Sequence, residues 1–179
     1  GAGVWLENVG DNRVGYNSST LGNVIAYNQG AGIRCTSLGT VSGNQFVGNS
    51  MFANQFGIDL GSYGITYNDT GDYDSGANGL LNFPVLLGAE STGDSVSVAV
   101  SYSSSPNKTY ALDFYWSSTC NASGYGEGEL YLGWDSLTTD AGGAALKQVG
   151  LAADNLQPGF ITATAIDSDG STSEFSACI

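Results

Sequence analysis

Two rhythms divide the chain. From Ser95 onward, apolar and polar residues alternate. Val96, Val98, Val100 and Tyr102 are interleaved with serine and alanine, and Tyr110, Leu112, Phe114 and Trp116 form a second such run. Leu130-Leu132-Trp134, Leu146-Val149-Leu151 and Phe160-Thr162-Thr164-Ile166 follow. A period of two sends successive side chains to opposite faces of a sheet. Polar turns separate the runs at Ser105-Pro106-Asn107, Asp140-Ala141-Gly142-Gly143, Gln157-Pro158-Gly159 and Asp169-Gly170. Strands and turns at this spacing predict an antiparallel β-sandwich. No segment carries a helical period.

The first sixty residues follow a longer period. Gly3-Val4-Trp5-Leu6, Gly32-Ile33-Arg34-Cys35 and Gly57-Ile58-Asp59-Leu60 share one pattern and lie 29 and 25 residues apart. Between them an asparagine frame recurs around a central apolar residue: Asn12 to Asn17, Asn23 to Asn28, Asn44 to Asn49 and Asn49 to Asn54. Short strands and polar corners repeating every 20–30 residues or so predict stacked coils. Asparagine suits the corners because it tolerates left-handed backbone and bonds nearby main chain. At one corner of successive coils it can build an amide ladder. Ordinary hairpins in an Asn/Gly-rich sandwich are the competing arrangement. In the stacked reading Val4, Ile33 and Ile58 share one column. Cys35 falls where Leu6 and Leu60 fall and is expected to be buried. Arg34 and Asp59 fall on neighbouring outward positions and are expected to pair across strands.

Residues 61–82 break the repeat with a polar, glycine-rich loop. Asp72-x-Asp74-x-Gly76-x-Asn78 sets oxygen donors at alternate positions around a turn, which suits a hard cation such as calcium. Asp69 and Asp59 are further candidate ligands. The pattern departs from an EF-hand, since the glycine comes one position early and Phe83 stands where a bidentate glutamate belongs. A solvated acidic loop that covers the last coil is the alternative, because an open strand edge invites unwanted pairing.

Composition narrows the functions. Seventeen acidic residues oppose four basic ones, for a formal charge of −13. That balance excludes a phosphate-backbone partner, which needs clustered Lys and Arg. The chain has no histidine, so histidine-based triads and zinc sites are excluded. No run of apolar residues is long enough to span a bilayer.

The stretches Gly30-Ala31-Gly32-Ile33, Gly48-Asn49-Ser50-Met51-Phe52-Ala53-Asn54, Gly57-Ile58-Asp59-Leu60-Gly61 and Asn82-Phe83-Pro84-Val85-Leu86 resemble the end of bacterial secreted right-handed parallel β-helix repeat proteins. The segments Pro106-Asn107-Lys108-Thr109-Tyr110, Ser123-Gly124-Tyr125-Gly126-Glu127-Gly128 and Ser173-Glu174-Phe175-Ser176-Ala177-Cys178 resemble the Ig-like module that follows such helices. The resemblance implies an all-β chain. Two to three coils of parallel β-helix would occupy residues 1–87, with the acidic loop at 61–82, and an Ig-like sandwich would occupy residues 88–179. It also implies secretion or surface attachment and a Cys120–Cys178 disulfide.

Catalytic residues are not expected in this segment: carboxylates and bases in the coils are few, and Glu127 and Glu129 read as turn decoration. Trp116, Trp134 and Tyr125 are candidates for a sugar-stacking surface. The leading expectation is a non-catalytic extracellular structural or adhesive module. The competing ones are a glycan-binding end of a polysaccharide-degrading enzyme and a subunit of a surface assembly. Because Gly1-Ala2-Gly3-Val4 matches Gly30-Ala31-Gly32-Ile33, the chain reads as starting within a repeat. Its first coil is then expected to meet upstream coils or another subunit.

Overall fold

The computed structural model describes residues 1–18 and 20–179, and these form an all-β chain. Seven short strands come first: β1 (Val4–Glu7), β2 (Arg13–Gly15), β3 (Val24–Ala26), β4 (Ala31–Thr36), β5 (Gln45–Val47), β6 (Ser50–Phe52) and β7 (Phe56–Leu60). Six longer ones follow: β8 (Val85–Ser91), β9 (Ser95–Ser103), β10 (Thr109–Ser117), β11 (Leu130–Thr138), β12 (Ala144–Ala152) and β13 (Phe160–Ile166).

With one another, among the described residues, the first seven pair in parallel, in the sheets β1-β4-β7, β2-β5 and β3-β6, while Met51 of β6 also makes an antiparallel bridge to Gly128. Among the described residues these strands form no antiparallel hairpin with one another. Val4 lies opposite Ile33 and Ile33 opposite Ile58, while Leu6, Cys35 and Leu60 form a second row. Val14 faces Phe46, and Ile25 faces Met51. The inward residues merge into one core holding Ile25, Ile33, Cys35, Phe46, Met51, Ile58 and Leu60. Burial pushes the Cys35 thiol up to about 11, so it behaves as a small apolar side chain rather than a nucleophile.

Three asparagine pairs tie the corners. Asn12 donates both its backbone N–H and its Nδ2 to Asn44 Oδ1. Asn23 does the same to Asn49, and Asn28 to Asn54. The second asparagine of each pair returns its own Nδ2 to a carbonyl near the first: Asn44 to Val9, Asn49 to Val14 and Asn54 to Ile25. Each corner thus satisfies main-chain groups that a turn would otherwise strand.

The longer strands form two antiparallel sheets, β11-β10-β13 and β12-β9-β8. Their facing residues, among them Val98, Val100, Tyr102, Leu112, Phe114, Val149 and Ala163, enclose a second core. This is the sandwich that the alternation predicts. Strand β8 adds one feature: it begins at Val85 and pairs with β9, so residue 87, the expected boundary, lies inside a strand. Cys120 and Cys178 are joined, with Cα atoms 6.0 Å apart. Closing a loop of this length removes about 4 kcal/mol of denatured-state entropy in the chain-entropy picture.

The two cores meet. The outer side of β10 carries Tyr115, which packs with Phe175 into the core of the parallel sheets, and Tyr131 of β11 lies against it.

Candidate functional site

The parallel sheets end in two unlike edges. At one, β1, β2 and β3 are the outermost strands of their sheets. At the other, residues from the 61–82 loop, from β10 and the loop after it, and from the segment after β13 bond to the main chain. Asn78 Oδ1 accepts the Asn44 N–H at 3.1 Å, which is what Asn44 Oδ1 does for Asn12. Glu127 Oε1 accepts the Asn54 N–H at 2.9 Å, and Oε2 accepts from Asn54 Nδ2 at 3.2 Å. It therefore stands where the next asparagine of that ladder would be. Glu174 Oε1 accepts the Leu60 N–H, Thr172 Oγ1 accepts that of Phe46, Tyr115 Oη accepts that of Gly48, and the Gly128 carbonyl accepts that of Met51. An edge that would otherwise present a row of donors is closed.

Closing it with carboxylates has an electrostatic cost. Glu127 is 3% exposed, and burial raises its pKa to about 7 despite the donors of Asn54 and Asn121. Glu174 is raised to about 7 by burial, against the N–H groups of Leu60 and Thr66. Glu127 is thus not the turn decoration expected from sequence. Its neighbour Glu129 is less buried and accepts from the Ser118 backbone and hydroxyl. Both line a cleft with Gln55, Asn121 and Phe52.

Three of the five proposed cation ligands come together. Carboxylate oxygens of Asp69, Asp72 and Asp74 lie within 4.8 Å of one another. Asp72 accepts from the Asn82 N–H and the Ser104 hydroxyl, which ties the loop to the sandwich. Asp69 Oδ2 accepts the Tyr73 N–H, whereas its Oδ1 is buried with no donor among the described residues. Burial raises the pKa of Asp72 and of Asp74, and the neighbouring carboxylates raise both further. Asn78 is taken up elsewhere, donating to the carbonyls of Asn44 and Thr172. Asp59 is taken up as well: its Oδ2 lies 2.8 Å from Arg34 Nη1. The cross-strand ion pair is therefore present, but the loop after β7 buries its acid completely. That burial raises the pKa of Asp59 to about 6 even beside the guanidinium.

The aromatic candidates do not share a surface. Trp116 lies on the core side of β10 with Leu112 and Phe114, and its Nε1 donates to the Gln157 carbonyl. Trp134 lies opposite Asp113 on the other face of that sheet and is exposed. Tyr125 packs edge-on against Tyr67 and Phe83 at the junction. Alternation along one strand gives the relative facing of its own residues. It does not give the facing of residues on a neighbour with a bulge, and β11 shifts register beside Phe114/Tyr115.

Among the described residues, no helix is long and apolar enough to cross a membrane. In comparisons with known proteins, no protein-family model and no curated protein matches the chain.

Proposed function

We propose that the chain is the closing segment of a right-handed parallel β-helix fused to an Ig-like sandwich, divided near residue 87. It acts outside the cell as a non-catalytic structural and adhesive module. The observation that carries this reading is the asymmetry of the stack: one edge is sealed by Asn78, Glu127, Thr172 and Glu174, while β1–β3 leave the other unpaired. The open edge meets a further coil or another subunit. On the same edge, Val4, Leu6 and Val14 are only partly covered, whereas their partners Ile33, Cys35 and Phe46 are buried. The buried carboxylates are spent on main-chain donors of the frame, which suits a scaffold. The disulfide suits an oxidising compartment.

A variant carrying a second copy of residues 1–29 ahead of Gly1 tests the stack. The copy is in phase because Gly1-Ala2-Gly3-Val4 repeats Gly30-Ala31-Gly32-Ile33. We expect a higher Tm and slower hydrogen exchange in β1. An unchanged or lower Tm with unprotected β1 amides counts against the reading.

A second reading concerns the junction. The buried, donorless oxygen of Asp69 beside Asp72 and Asp74 favours a calcium ion there, with Asn78 and Asp59 outside the ligand set. The ion would offset the mutual repulsion of three carboxylates in a loop bound to both halves.

A further inference from the structure

The outward face of the β1-β4-β7 sheet carries a row that the structural role does not use. Trp5, Arg34 and Asp59 stand in register on adjacent strands. Trp5 is 61% exposed, yet its Nε1 donates to Thr36 Oγ1 at 3.0 Å, so the indole is held in one orientation. With its N–H already used, the ring offers a flat apolar face. Beside it the Arg34 guanidinium lies over Tyr63, with Cζ 5.2 Å from the ring centroid. Tyr63 is 57% exposed and is fixed in turn by an edge-on contact with Phe56 and a hydroxyl bond to Gln55. Arg34 spends Nη1 on Asp59, and among the described residues its Nε and Nη2 have no hydrogen-bond partner. Gln29 completes a cleft of about 390 Å³ that these groups line.

We propose that this cleft binds a neutral polysaccharide, with a pyranose ring stacked on Trp5 and its hydroxyls bonded to Arg34 and Gln29. A pyranose has an apolar C–H face and a rim of hydroxyls, matching a fixed aromatic plane flanked by planar polar groups. The volume lies at the lower end of small-molecule sites and suits one or two sugar rings. Neutrality follows from charge: Asp59 already balances Arg34, and a chain at −13 repels a polyanion at long range. Trp5 and Arg34 lie on adjacent strands, so a linear chain running across them is better matched than a free monosaccharide. This site differs from the Trp116, Trp134 and Tyr125 group, and through Trp5 on β1 it borders the open edge.

The test titrates the full chain with neutral hexasaccharides (β-glucan, mannan, xylan and galactan) and with hexagalacturonate, by calorimetry and by NMR of the Trp5 indole N–H. We expect at least one neutral chain to bind and shift that signal. Trp5→Ala and Tyr63→Ala should each weaken binding tenfold or more with Tm unchanged, while Trp134→Ala binds normally. The proposal is overturned by no binding of any neutral chain, by preference for the uronate, or by equal affinity in Trp5→Ala.

Discussion

Glu127 and Glu174 hold Asn54 and Leu60 through backbone N–H groups, each as a buried carboxylate with no basic partner among the described residues. Replacing Glu127 with alanine strands the Asn54 backbone N–H and one of the two Nδ2 hydrogens, the other staying on the Ile25 carbonyl, in a buried setting. Each orphaned donor costs roughly 1–3 kcal/mol, so denaturant unfolding of Glu127→Ala should show a loss of that order or more. Glu127→Gln keeps one acceptor oxygen and should lose less; equal stability of Glu127→Ala and the parent would remove the cap from the account. At this scale the sequence is only partly readable. Cys35 and the Arg34–Asp59 pair follow from matching the sequence repeats, because each depends on a neighbour on the adjacent parallel strand. Glu127 could not be placed that way. Gly126-Glu127-Gly128 has the look of a turn, and the contact that buries it comes from Asn54, 73 positions earlier.

Among the elements, the repeats and the sandwich strands carry strong periodic signals and form where those signals lie. β8 does not: Phe83-Pro84-Val85-Leu86 has no alternation, and its strand character comes from pairing with β9. The acidic loop is similar. Its spacing marks a cluster of oxygen donors, but which carboxylates converge depends on the pull of Ser104 and Asn82 on Asp72 and of Asn44 and Thr172 on Asn78. Three like charges at this separation relax on binding a divalent cation. Adding calcium to chelator-treated protein should therefore raise Tm, and Asp69→Asn together with Asp72→Asn should abolish the increment. No calcium-dependent change in Tm would leave residues 61–82 a solvated acidic loop.

Across the whole molecule, buried acids set the pH response. Glu127 and Glu174 titrate at about 7 in the fold, and Asp59 and Asp113 at about 6, in each case chiefly through burial. In the unfolded chain such groups titrate near pH 4. Between about pH 4 and 7 the native state therefore binds more protons, and stability falls as pH rises through that window. Asp140, held low by the N–H groups of Ala144 and Gly142, acts in the opposite sense but only below pH 4 or so. Thermal unfolding should give a higher Tm at pH 5 than at pH 8; a Tm that climbs with pH over this range would mean that these carboxylates are not buried as described. The shared core at Tyr115 and Phe175 predicts that the parallel sheets and the sandwich respond together.

All of this depends on the parallel stacking of the first seven strands, which methyl NOE spectroscopy on the full chain reads directly. The predicted pattern is contact between Val4 and Ile33 and between Ile33 and Ile58, with none between Val4 and Ile58. Close Hα–Hα contacts of antiparallel pairs within residues 1–60, without those methyl contacts, would contradict it.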